Sequence, residues 1–183
     1  MIINDPSGRA ASVTADNRQK VLAATEEFLH ALAEVGRAWT LSNTFSQTVL
    51  TDNTIFFFQN TDSIAIDFHG LIFSSSVAGL VSIETGRTYS SGGGTALTLG
   101  QLNTSSGQTI SQTSYFASAI VLAGTAATIM SYRIAANTPY NLLSDSFLIV
   151  EPNTTFAIRL TLDSQPATLA FTAILHGLEP WEE

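Results

Sequence analysis

From Arg37 onward, apolar and polar positions alternate with a period of two, the repeat of a strand that buries one face. Strands are predicted from Ala38–Leu41, Leu80–Glu84, Ala96–Leu102, Tyr115–Leu122, Thr128–Ile134, Phe147–Val150, Thr155–Leu162 and Thr168–Leu175. Ile64-Ala65-Ile66-Asp67-Phe68 alternates and then continues through Leu71, Ile72 and Phe73. Ile55-Phe56-Phe57-Phe58 is instead a continuous apolar run, which predicts a strand buried on both faces. Turn-forming clusters separate these segments: Gln59–Asp62, Ser91–Gly94, Thr104–Gly107, Asn137-Thr138-Pro139 and Glu151-Pro152-Asn153. Eight or more strands at this spacing predict an all-β chain: a β-sandwich, jelly-roll-like, over residues 37–178. The Gly92–Gly94 run reads as a flexible loop tip, because strand patterns continue on both sides.

Before Arg37 the period is helical. Residues 16–36 read as one short helix: Asp16 supplies an N-cap, Gln19 completes a capping box, and Gly36 stands where a C-terminal cap belongs. Val21, Phe28, Leu32 and Val35 form an apolar stripe at three-to-four spacing, widened by Leu22 and Leu29. The stripe packs on the sandwich or on another copy of the helix about a symmetry axis. Residues 1–15 read as an N-terminal arm, with turn chemistry at Asp5-Pro6-Ser7-Gly8 and no core periodicity. Residues 179–183 form an acidic tail in which Trp181 is an anchor for a neighbouring surface.

Composition narrows the function. Hydrophobic residues make up 45% of the 183 positions, as in a globular chain, but only 12% are charged. Net charge is −8, and the seven cations never adjoin. Nucleic acid and anionic membrane both select clustered Lys and Arg, so neither is expected as a partner. With no cysteine there is no disulfide or thiolate chemistry. The opening MIINDPSGRAAS does not have the basic start and apolar run of a secretory signal.

Catalytic constellations are not visible in the spacing. Gly92-Gly93-Gly94-Thr95 does not carry the Lys of a phosphate loop, and there is no G-x-S-x-G elbow. His30, His69 and His176 are solitary in sequence, whereas metal sites favour His-x-His on a strand or His pairs on a helix face. His69 precedes Gly70, in a strand or at a bulge, and each histidine is read as structural. Asp62, Asp67, Glu84, Asp145, Glu151 and Asp163 mostly fall at turns or strand ends, where carboxylates stay solvated; Asp67, inside a strand, is expected to face solvent. Asp52-Asn53 and Asn60-Thr61-Asp62 offer oxygens, but not in the register of a known calcium loop. No cofactor, metal or catalytic residue is expected, and the chain is read as a non-enzyme.

Three stretches carry a resemblance: Asn17-Arg18 through Glu34-Val35-Gly36-Arg37-Ala38-Trp39-Thr40, then Ile55–Asp62, then Phe147–Phe156. In this order of short helix, first strand, later strand ending in Asn, and turn before a penultimate strand, the chain resembles small auxiliary virion proteins of tailed bacteriophages, the capsid decoration or cement proteins. The resemblance covers about a third of the chain. It implies a homotrimer on the capsid surface, made in the host cytoplasm, with the major capsid protein or another virion protein as partner. It carries no catalytic residues. Candidate assembly contacts are Ile2, Ile3 and Val13 of the arm, Phe28 and Leu32 of the helix, and Trp181 of the tail. The alternatives are a receptor-binding or fibre-associated module that contacts host glycans, and a jelly-roll enzyme.

Overall fold

Strongly apolar segments broken by short turns fold back on one another as antiparallel ladders, because each must satisfy its backbone while burying a face. The computed structural model describes residues 2–4, 10–12, 33, 36–47, 53–143, 148–164 and 166–178. A first hairpin pairs β1 (Ile2–Asn4) with β2 (Ala10–Ser12). The sandwich strands follow: β3 (Ala38–Gln47), β4 (Asn53–Asn60), β5 (Ile66–Ser75), β6 (Gly79–Thr85), β7 (Thr88–Gly92), β8 (Thr95–Ala96) and β9 (Gly100–Gln101). They continue as β10 (Gln112–Ala123), β11 (Ala127–Ile134), β12 (Tyr140–Asn141), β13 (Leu148–Val150), β14 (Thr155–Leu162) and β15 (Ala167–Gly177).

Two antiparallel sheets pack face to face. The larger has the order β11-β6-β14-β4-β10-β7, with β8 also on β10. The smaller has the order β12-β5-β15-β3-β9, with β13 also on β5. Setting aside β7 to β10, the remaining strands interleave as β4-β14-β6-β11 over β3-β15-β5-β12/β13, which is the order of a jelly roll. The segment from β7 to β10 is an insertion between the third and fourth strands of the larger sheet, β6 and β11. It crosses to the opposite edge and widens both sheets there.

Phenylalanine rings join the sheets. Phe56 and Phe58 of β4 and Phe156 of β14 meet Phe68 of β5 and Phe171 of β15, with centroids 4.5–5.8 Å apart. Phe116 and Phe45 extend the chain of rings. Each such pair adds about 0.5–1.5 kcal/mol beyond the burial of its area.

Several sequence expectations meet the structure directly. Thr54 through Phe58 are all buried, as the apolar run predicts. Ala33 is helical, and Gly36 has φ +77° with its N–H donated to the Ala33 carbonyl at 2.9 Å, the geometry of a helix end. The other residues of the predicted helix lie outside the described residues. The expected arm contains the β1–β2 hairpin. The predicted Ala96–Leu102 strand divides into β8 and β9. β7 and β12 have no counterpart in the hydrophobic pattern: β7 reads Thr-Tyr-Ser-Ser-Gly and is mostly exposed at a sheet edge, where little apolar signal is needed. The Gly92–Gly94 run is not a free loop tip, because β7 and β8 flank it and both pair with β10. Gly94 has φ +106°, and a β-carbon there would stand 3.0 Å from Ile120 Cγ1 and 3.1 Å from Tyr115 Cβ, so only glycine fits.

Asn60 locks one end of the sandwich. Its side chain is fully buried, and Nδ2 donates to the carbonyls of Ile64 and Val150, each at 2.8 Å. Oδ1 accepts the Asp62 N–H at 2.9 Å, and the Asn60 carbonyl accepts from Asn153 N–H. One residue of the larger sheet therefore ties down both the β4–β5 turn and strand β13 of the smaller sheet. Asn60→Ala strands two carbonyls and an N–H at about 1–3 kcal/mol each where water cannot reach, so a loss of about 2–4 kcal/mol is expected. Urea unfolding measures it; a loss below about 0.5 kcal/mol, the range of neutral surface changes, would show that the network is not a stabilising element.

Candidate functional site

The sequence-derived assembly contacts fall at the margins of the described chain. Ile2 and Ile3 lie in β1, opposite Ser12 and Ala11. Val13, Phe28, Leu32 and Trp181 lie outside the described residues, as do His30, Asp52 and Asp145. Within the described residues, two outward-facing clusters carry chemistry, one on each sheet.

The first stands on the smaller sheet. Asp67 of β5 is the direct cross-strand partner of His176 of β15, and the neighbouring pair Phe68–Leu175 points into the core. Asp67 and His176 therefore face away from it. Pairing of β5 with β15 passes from Phe68↔Leu175 to Gly70↔Ile174, so His69 is the extra residue of a bulge. The bulge re-aims His69 along the sheet, and its ring stacks on His176 at 4.4 Å and 16°. Asp67 Oδ2 lies 3.5 Å from His69 Nε2 and 4.0 Å from His176 Nε2. One ligand atom from each of the three residues falls within 4.8 Å of the others. His69 and His176, solitary in sequence, are thus brought together by the pairing of β5 with β15, and Asp67, expected to face solvent, is 8% exposed. Burial raises the Asp67 carboxyl above its ordinary range, against a smaller opposing pull from His69. Burial, and secondarily the charge His69 carries when protonated, lowers His176 to about 4.

The second cluster stands on the larger sheet. Because β4 alternates, Phe57 points outward while Phe56 and Phe58 point inward, yet Phe57 is fully buried. Its cover is the inserted segment: Tyr89 of β7 and Tyr115 of β10 stack at 4.5 Å, Tyr89 lies 5.9 Å from Phe57, and Ile120, Leu122 and Ala157 complete the patch. Beside it Glu84 is 5% exposed and bridges Arg159 Nη1 at 3.0 Å and Arg87 Nε at 3.3 Å. Glu84 was expected to remain solvated at a strand end; the two guanidiniums replace its water.

Other polar features are committed within the fold. Asp62 Oδ2 accepts the Ser111 N–H at 2.8 Å and Oδ1 the Ser63 N–H at 2.7 Å. Partial burial pushes its carboxyl up, but these backbone donors outweigh that and hold it low. The side-chain oxygens of Asn60 and Asp62 in this turn thus already accept protein hydrogen bonds. A cleft of about 530 Å³ lies at one end of the sandwich between Thr85–Thr88 and Leu148–Phe156. Its cation, Arg87, is engaged by Glu84.

Asp67-x-His69 was a readable signal, since residues two apart on a strand share a face. The third member was not readable, because only the pairing of β5 with β15 brings His176 across 107 residues of chain.

The His176 environment makes a pH prediction. Its folded pKa lies below the unfolded value of 6.5, so the unfolded chain takes up the extra proton first. The stability this group contributes is full above pH 6.5 and drains away as pH falls toward 4. Asp67, raised, acts in the opposite sense and gives some back at the acid end. In chelator-treated protein the melting temperature should fall from pH 7 to pH 5, with the His176 imidazole titrating at about 4 by NMR; titration above pH 6 would contradict the burial argument.

No protein-family model, curated protein or solved structure matches this chain, so its function is read from its own residues.

Proposed function

We propose that the chain is a non-enzymatic virion protein that binds the capsid surface of a bacteriophage as a decoration or cement protein, assembled as a homotrimer. The observation that carries this reading is the tyrosine-capped patch on the outer face of the larger sheet. Tyr89, Tyr115 and Leu122 are half-buried over Phe57. Protein interfaces are enriched in such aromatic and aliphatic anchors and depleted of charge at their centre. The jelly roll supports the reading in a coarser way, since it serves coat and lectin domains alike. The sequence resemblance and a net charge of −8, which keeps an abundant surface protein soluble, point the same way.

The glycan-binding alternative draws on the same two tyrosines. Sugars stack on open ring faces, and here Tyr89 and Tyr115 each give one face to the other while Tyr89 also packs on Phe57, which leaves less ring surface for a sugar. That arrangement favours a protein contact.

Mixing purified protein with particles that lack it, followed by imaging, should give regular density over the shell. Leu122→Glu, at a half-buried position in the patch, should keep a cooperative melting transition and lose that density. Density only at the tail, or binding by a glycan and not by the shell, would replace the proposal with the alternative.

Light scattering should give three 19.5 kDa chains per particle in solution. Deleting residues 1–15 should leave the sandwich melting temperature nearly unchanged but weaken co-sedimentation with bare shells, with little dependence on salt, because Arg9 is the only cation in that segment. Equal sedimentation of both forms would remove the segment from the mechanism.

A further inference from the structure

We infer that Asp67, His69 and His176 form a binding site for one divalent transition-metal ion on the outer face of the smaller sheet. The donor set decides the class of ion. Two imidazole nitrogens and one carboxylate oxygen suit zinc, nickel or cobalt, whereas calcium and magnesium take oxygen ligands.

Spacing is close to what such an ion requires. Ligand distances of about 2.0–2.2 Å put the donors of a tetrahedral site about 3.3 Å apart. The Asp67 oxygen already stands 3.5 and 4.0 Å from the two Nε2 atoms. Stacked rings send their lone pairs side by side, so one ring must turn for both to reach the ion. His176, 1% exposed, is fixed. The side chain of His69 is 30% exposed and sits on the bulge, so it is the ring that swings.

A plain ion pair explains the cluster less well. An aspartate–imidazolium bond closes to about 2.7–2.9 Å, whereas 3.5 Å separates Asp67 from His69. Asp67 Oδ1 and His69 Nε2 are both buried without a hydrogen-bond partner among the described residues. A buried imidazole nitrogen in that state is costly, and a cation shared with Asp67 Oδ2 satisfies it. The ion would bridge β5 and β15 where their register breaks, pinning the bulge, and three protein ligands leave a fourth position for water on the His69 side.

The test uses full-length protein stripped with chelator. Cobalt titration should develop visible absorption that saturates at one ion per chain, and about 100 µM zinc should raise the melting temperature by several degrees, as any ligand selective for the folded state does. Magnesium should do neither. His69→Gln and Asp67→Asn should each bind cobalt at least about tenfold more weakly, since losing even an outer-sphere partner has that effect. Glu151→Gln, at an exposed carboxylate in the β13–β14 turn, should bind as the wild type does. Asp67→Asn also guards against misfolding, because it removes a buried charge and should melt no lower than the stripped wild type. No cobalt absorption and no zinc shift would overturn the inference; so would binding unchanged in both ligand variants, which would place the ion elsewhere on the chain.

Discussion

Three successive phenylalanines in one strand impose the constraint on which this architecture rests. Side chains alternate across a sheet, so Phe56 and Phe58 can share a core only if Phe57 is turned outward. Burying all three therefore needs cover on both faces of β4. The smaller sheet supplies the inner cover through Phe68 and Phe171. The outer cover comes from the β7–β10 insertion, which carries Tyr89 and Tyr115 across to β4. What looks like an elaboration of a jelly roll is the lid over an outward-facing aromatic ring.

The same logic accounts for the polar clusters. Outward rows next to buried aromatics lose water, and a carboxylate there must find a substitute. Glu84 finds two guanidiniums on its own sheet. Asp67 finds two imidazoles, one delivered by a bulge and one by the neighbouring strand. The guanidiniums are permanently charged and close the matter locally. The imidazoles are neutral ligands as well as cations, which is why that cluster, and not the glutamate, has the chemistry of a metal centre.

These features fit a protein whose outer faces matter more than any internal cavity. The tyrosine patch and the histidine cluster lie on opposite sheets, so a partner contact on one face and an ion on the other would not compete for the same residues. At the end of the sandwich, Asn60 joins the sheets through hydrogen bonds, and the aromatic interior joins them through packing. A thin sandwich held together in both ways keeps its faces in fixed relation.

The sequence by itself determined the class of fold. Period-two alternation from Ala38 to Leu175, the doubly apolar Ile55–Phe58 run and the Asn, Gly and Pro turns are local signals, because strand geometry and turn chemistry act within a few residues. It also marked Gly36 as a helix end and placed His69 at a possible bulge. Edge strands such as β7 were invisible, since an exposed ribbon needs hydrogen bonds more than apolar residues. Which strands pair was decided only by the tertiary structure. Phe57 reads as core from sequence, but whether its cover is the opposite sheet or the insertion depends on strand order. His176 reads as unrelated to Asp67 and His69 until β5 lies beside β15, because a ladder brings together chain segments whose separation leaves no trace in local pattern.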